Sequence, residues 1–346
     1  MVGKSFNKLA ALSLCAGLVL LGCRGYNRRF IIISDENGER DSIEVTGLTA
    51  GEDYLSIHDY YVQWEGQDSV RIRNTDEFFY LDGKVAGANL GKIDPSEITD
   101  TNDILTLQMV QPYYFSALSR FPNLRALSCY AINQNDLAAL KDAAGIELLD
   151  VFGPGVSDSG LRYLSNFKNL RHLCLCENKV TDEGLRYLSD LKNLTSLDLE
   201  FTHCTDEGIS YLKDLTSLRR LNLGLVHVSE KGLTHLSAMK NLRELHIWGQ
   251  DISDEGLRYL ADLPRLRKLS LQYTSITSRG ISFLKDLKHL KELTLTFTPL
   301  VDENLAALHE LTNIRVLRVG ELDISPDDLE ELRRTLPRCD IDYVGN

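Results

Sequence analysis

The chain is poor in the residues that break or staple a fold. Its 346 residues include 8 prolines, 7 cysteines, 3 methionines and 2 tryptophans. So few prolines beside a hydrophobic fraction of 43% exclude a mostly disordered polypeptide. Seven cysteines over this length are too few for a scaffold built from disulfides. Positive charge is short as well: 38 Lys+Arg against 50 Asp+Glu leave a formal charge of −12. That balance argues against a non-specific grip on nucleic acid and against adhesion to anionic lipid through a polybasic patch. The apolar run from Leu9 to Leu21 is 13 residues long. A typical membrane span needs about 20.

What is abundant is leucine, and it is unevenly placed. Of 60 leucines, 6 fall in residues 1–22, 4 in 23–100 and 50 in 101–346. Three unlike segments follow. In the first, Lys4 and Lys8 precede the apolar run, which ends in Leu20-Leu21-Gly22-Cys23. A charged start, a short apolar stretch and a small residue at its end read as a secretory signal. The ending resembles the bacterial lipobox, in which cleavage before a lipid-modified cysteine leaves Cys23 acylated at the new N-terminus. The same residues fit an ordinary secretory peptide with an incidental Cys23. On the lipobox reading the protein is a lipoprotein tethered to a bilayer in the cell envelope, and Arg24 in place of aspartate favours the outer membrane.

Residues 23–99 form a second, acidic segment. Asp+Glu exceed Lys+Arg by 15 to 8 over residues 24–99. Phe30–Ile33 and Ser42–Thr46 flank Asn37-Gly38; Tyr60–Trp64 and Ser69–Arg73 flank a polar loop; Phe78–Leu81 runs into Asp82-Gly83. Strand-turn-strand signals of this kind predict a small β-rich module, and residues 86–100 read as a linker.

Residues 100–346 carry an internal repeat. LxxLxL begins at Leu170, Leu194, Leu218, Leu242, Leu266 and Leu290, each 24 residues after the last. The register extends to Ile314, back to Ile146 and Leu124, and forward to a last strand holding Ile341 and Tyr343; about eleven units fit. Each unit has a second half such as Thr181-Asp182-Glu183-Gly184-Leu185, with apolar residues following at Leu188 and Leu191. Ser or Thr before acidic residues reads as a helix N-cap whose oxygen accepts from a free amide. A unit is therefore a short strand, a turn and a short helix, and no unit buries its leucines alone.

This spacing resembles the leucine-rich-repeat family, and TDEGL after LxxLxL is most similar to its cysteine-containing branch, also found in bacterial envelope proteins. The resemblance implies an α/β solenoid, a right-handed horseshoe with a parallel concave sheet and short convex helices, closed by a C-terminal cap over 325–346. The turn position here is occupied by Asn178, Thr202, Val226, Gln250, Thr274, Thr298 and Leu322.

Strand side chains alternate, so the residues between the leucines face the concave surface. The predicted partner-binding residues there are Tyr130, Asp150, Phe152, Asp198, Glu200, Asn222, His246, Trp248 and Gln272. Aromatic residues interleaved with charges suit recognition of a protein or peptide. Trp248 is the foremost candidate. His172, Cys174 and Cys176 share one strand face, but same-face neighbours stand about 6.6–7 Å apart, wide for ligands that must converge on one zinc. No metal, cofactor or catalytic residue is assigned. Cys129 and Cys204 fall at core positions, and Tyr163, Tyr187, Tyr211, His235, Tyr259 and Phe283 form a convex stripe expected to pack between helices.

The sequence thus predicts a non-enzymatic scaffold, held to the envelope through Cys23 and binding a protein or peptide on its concave face, with no nucleic-acid partner. Two alternatives stand beside it: a self-associating envelope spacer, and an enzyme centred on Asp198, Glu200 and His246. If Cys23 is the anchor, mass spectrometry of the mature N-terminus should find an acylated cysteine, and Cys23→Ala should release the protein from membranes. An unmodified Cys23 would remove the anchor from this reading.

Overall fold

The computed structural model describes 94–98, 106–110, 112–140, 143, 145–249, 252–299, 305–320 and 324–343, together with the backbone of strands at 29–34, 40–45, 58–62, 70–74, 78–81 and 84–89. Cys23, the signal segment, Gln250 and Leu322 lie outside the described residues. The chain divides into two compact units, Met1–Asp76 and Glu77–Asn346. The first contains two antiparallel pairs: β1 (Arg29–Ser34) with β2 (Arg40–Val45), and β3 (His58–Val62) with β4 (Val70–Asn74). These are the strand pairs expected around the polar loops.

The second unit opens with β5 (Phe78–Leu81) antiparallel to β6 (Lys84–Asn89). β6 then pairs in parallel with β7 (Thr106–Val110), so part of the stretch read as linker is sheet. From β7 onward the sheet is parallel. It continues through β8 (Ala126–Tyr130), β9 (Leu148–Phe152), β10 (His172–Cys174), β11 (Ser196–Asp198), β12 (Arg220–Asn222), β13 (Glu244–His246), β14 (Lys268–Ser270), β15 (Glu292–Thr294), β16 (Val316–Arg318) and β17 (Asp340–Asp342). Leucine pairs with leucine across successive strands: Leu149 with Leu173, Leu173 with Leu197, Leu197 with Leu221. Every inward position of the LxxLxL motifs from Leu170 to Leu295 is at most 2% exposed. At roughly 1.5–3 kcal/mol per fully buried leucine, this column is the main favourable term in the fold.

Opposite the sheet, each repeat makes about one turn of α-helix, commonly followed by a 3₁₀ stretch, as at Asp182–Leu185 and Arg186–Leu188. The TDEGL signature has a second job here besides the expected cap. Thr205, Ser229 and Thr277 do cap their own helices, at 3.2–3.3 Å, but Ser157, Thr181 and Ser253 make no such bond. The partner that Thr181, Thr205, Ser229, Ser253 and Thr277 share is the preceding repeat. Asp158 accepts the amide and hydroxyl of Thr181 at 2.8 and 2.7 Å, Asp182 those of Thr205 at 2.7 and 2.6 Å, and Asp206 those of Ser229 at 2.7 and 2.6 Å. Asp254 holds Thr277 in the same way, while Glu230 receives Ser253 on one oxygen. The hydroxyl proton turns to the carboxylate because a charged acceptor makes the stronger bond. Glycine in the motif follows from the same contact: a Cβ at Gly184, Gly208 or Gly280 would run into the carboxylate of the preceding repeat.

After each of the strands β8 to β15 the chain turns through one residue in the left-handed region. Ala131, Glu177, Phe201, Leu225, Tyr273 and Phe297 have φ of 50–61°, and Gly153 and Gly249 occupy the equivalent place. The turn is held by buried polar groups: Asn178 bonds Val151 O, Leu175 O and Val156 N, and Thr202, Thr274 and Thr298 each donate to the carbonyl three residues back. At the far end Ser325 caps the helix Pro326–Thr335, with proline in its first turn, and β17 completes the sheet through Leu317–Ile341 pairing.

Asp206→Ala leaves the Ser229 amide and hydroxyl and the Gly232 amide without their acceptor. The expected loss is about 1–3 kcal/mol of stability, read as a lower urea midpoint. A midpoint unchanged from wild type would show that the carboxylate contact is incidental to stacking.

Candidate functional site

The sheet face opposite the helices is where the repeats differ from one another, and its centre lies over β11–β13. Asp198 and Asn222 are paired across the ladder, and the Asn222 amide donates to Asp198 at 3.2 Å and to Glu200 at 2.7 Å. The Asn222 side-chain oxygen in turn accepts from the Gly224 amide at 3.1 Å. These bonds draw Asp198 and Asn222 down between the strands, leaving them 9% and 8% exposed. Glu200 and His246 remain half-exposed beside them.

Trp248 lies across this network. Its indole covers Gly224, where a Cβ would collide with the ring. Phe201, from the repeat before Gly224, meets the indole edge-on at 6.0 Å between centroids and 84° between planes. Backbone bonds fix all three: Phe201 N donates to Gly224 O at 3.0 Å, and Leu225 N to Trp248 O at 2.9 Å. Glycine at 224 is thus what gives a large ring room against a sheet whose strands are about 4.8 Å apart. Phe201 sits at the turn that follows its strand, and that turn delivers it to Trp248.

Two more aromatic pairs lie along the strand-exit side. Tyr130 contacts Phe152 at 5.1 Å, and Tyr273 stacks on Phe297 at 4.4 Å with 9° between planes. Phe152 itself is 7% exposed, so of that pair Tyr130 offers the accessible surface. Asp150 accepts from Ser128 at 3.2 Å, and Gln272 donates to Thr296 at 2.7 Å. At the first position of the strands two charge pairs are matched across the ladder, Arg220 with Glu244 at 3.4 Å and Lys268 with Glu292 at 3.1 Å.

The thiols have ordinary structural reasons to be where they are. Cys129 and Cys204 are fully buried, and burial pushes both thiols up, Cys204 to about 12. On Cys174 a hydrogen bond involving Cys176 favours the thiolate, but burial and the Asp150 and Asp198 carboxylates oppose it and push the thiol up to about 12. Among the described residues no group of three or more His, Cys, Asp and Glu is disposed to hold a metal ion. On the convex side Arg186 lies over the Tyr211 ring at 5.4 Å and Arg258 over Phe283 at 5.5 Å, each reaching from the preceding repeat.

His172 is 6% exposed, and burial, followed by the charges of Arg220, Arg171 and Arg219, lowers its pKa to about 3 from 6.5. The imidazole is neutral in the folded protein over a range in which an unfolded histidine takes up a proton. Stability due to this group is therefore full above the ordinary histidine pKa and declines as pH falls from about 6.5 toward 3, by up to about 1.4 kcal/mol per unit. Urea midpoints between about pH 6.5 and 4.5 should fall in the wild type and fall less steeply in His172→Gln. Equal slopes in the two proteins would contradict the buried neutral imidazole.

A Leucine Rich repeat family model matches residues 190–213. No curated protein matches the chain. Among solved structures, an internalin from Listeria monocytogenes is 24% identical, with 71% of this chain and 73% of that one covered and a TM-score of 0.51. An internalin C2 from the same organism is 23% identical, covering 56% and 84% at a TM-score of 0.44. A leucine-rich-repeat protein from Leptospira interrogans is 17% identical, covering 69% and 76% at 0.41. The likeness in fold rests on the first of these. Together with the stacked LxxLxL strands and the helix-side carboxylate contacts, it makes the second unit of this chain a leucine-rich-repeat solenoid.

Proposed function

We propose that this protein is a non-enzymatic recognition scaffold that binds a protein or peptide on the concave face of its sheet, centred on Trp248. The observation that carries the reading is the Phe201–Gly224–Trp248 arrangement. A large ring is held half-exposed on a rigid sheet, supported by a glycine and a second ring, with Glu200, Asn222 and His246 beside it. An aromatic anchor whose conformation is fixed before binding loses little entropy on contact, and polar neighbours supply direction. Tyr130 at one end and Tyr273 with Phe297 at the other extend the apolar row along the strand-exit side. The leucine-rich-repeat fold suits this role because its rigid sheet carries a different set of side chains on each strand.

The tether is part of the same proposal. It rests on Leu20–Cys23 and places the scaffold at the bacterial cell envelope, with the solenoid outside the cytoplasm.

Capture of partners from envelope extracts by residues 24–346, followed by identification and titration of the captured protein, provides the test. Trp248→Ala should weaken that complex by about 2 kcal/mol, close to thirtyfold, while the thermal transition remains cooperative. Undiminished affinity in a folded variant would move the binding site off this face.

A further inference from the structure

The acidic total conceals a basic rim. At one register position, immediately before the repeat strands, stand Arg171, Arg219, Arg243, Arg267, Lys291 and Arg315, with Thr195 between the first two, and Glu147 one repeat earlier pairs with Arg171 at 3.7 Å. Their backbones are stacked directly on one another: Arg243 N donates to Arg219 O at 2.7 Å, Arg267 N to Arg243 O at 2.7 Å, Lys291 N to Arg267 O at 2.8 Å and Arg315 N to Lys291 O at 2.7 Å. Five successive repeats from Arg219 to Arg315 therefore present a cation at intervals of about 4.8 Å, a row of roughly 20 Å.

The row borders a groove of about 260 Å³ lined by Arg171, Arg219 and Arg265 with Thr195, Ser217 and Asn241. Its lining includes no carboxylate and no apolar side chain. Arg265 is oriented by a 2.5 Å bond to the Asn241 side-chain oxygen, and Arg219 and Arg265 are both exposed. A guanidinium has five donors in a fixed fork, so one such bond leaves others for an oxyanion. The strand exit, with its aromatic row, is about six residues or 20 Å away. At physiological salt, charge at that distance is screened, since the Debye length is about 8 Å. The carboxylates nearest the rim, Glu147, Glu244 and Glu292, each face a cation of their own, Arg171, Arg220 and Lys268, so the rim keeps an excess of positive charge.

We propose that this strand-entrance rim binds an anionic polysaccharide, seating a sulfate or phosphate ester in the groove among Arg171, Arg219 and Arg265 and running further anionic groups along the cation row. The lining itself selects the class. A peptide would ask for an apolar wall that the groove lacks. A single-stranded nucleic acid would ask for stacking platforms, and the aromatic residues beside the rim, Phe167 and His172, are buried. At this size the groove receives a group rather than enclosing a whole ligand. Repeated charges at a regular spacing, by contrast, match a polymer that carries one anion per unit or two.

Dextran sulfate, neutral dextran and poly-glutamate are the probes, titrated against the full chain by calorimetry at two salt concentrations. Dextran sulfate should bind, with affinity falling as salt rises. Arg219→Gln with Arg265→Gln should weaken it by tenfold or more and flatten the salt dependence. Arg219→Lys with Arg265→Lys keeps the charge and should retain most of the salt-sensitive binding. Trp248→Ala should bind dextran sulfate as the wild type does, which separates this rim from the concave face. Equal binding of neutral dextran, tighter binding of poly-glutamate, or full affinity in the folded glutamine variant would each overturn the proposal.

Discussion

The contact between one repeat's carboxylate and the next repeat's Ser or Thr governs how this solenoid is put together. The sheet side needs no special residue for stacking, since parallel backbone bonds set the interval there. Just before the helices the backbone supplies single bonds between repeats, as from Lys179 N to Val156 O and His203 N to Val180 O. The interval on the helix side is set by Asp158, Asp182, Asp206 and Asp254, each taking an amide and a hydroxyl from the following unit, and by glycines that leave room for them. With both sides pinned, the leucines between them have one depth to occupy. Their near-complete burial over six consecutive repeats is the result.

Because the frame is fixed on both sides, the open face is free to differ from strand to strand. Asn222 can be spent tying Asp198 and Glu200 together, and Gly224 can be given up to a neighbour's indole, without loosening either strand. The three aromatic pairs lie at the strand exits and the cation row at the entrances. One sheet therefore carries two chemically distinct margins, one suited to apolar anchoring and one to anionic groups.

Much of the frame was legible in the chain. A 24-residue leucine period dictates stacking, and the positions of Cys129 and Cys204 in the core follow from it directly. Depth on the open face was less legible. Alternation puts Phe152, Asp198 and Asn222 outward, yet Tyr130 covers the first and a shared amide draws in the other two. Periodicity says which face a side chain leaves by, not which neighbour lies over it. The Ser/Thr of TDEGL looked like a local cap because its main acceptor sits 23 residues earlier, beyond the reach of any local rule. The cation row was hidden for another reason: a single net charge averages over margins that the fold keeps apart.

The left-handed residue after each of the strands β8 to β15 carries one more implication. Outside glycine this conformation costs about 1–2 kcal/mol, yet Ala131, Glu177, Phe201, Leu225, Tyr273 and Phe297 all adopt it at the same place. The turn does not depend on which residue fills it; the stacked neighbours impose it. Each repeat thus offers a socket at the margin of the sheet whose occupant can be exchanged, small for large or charged for aromatic, while the socket keeps its shape.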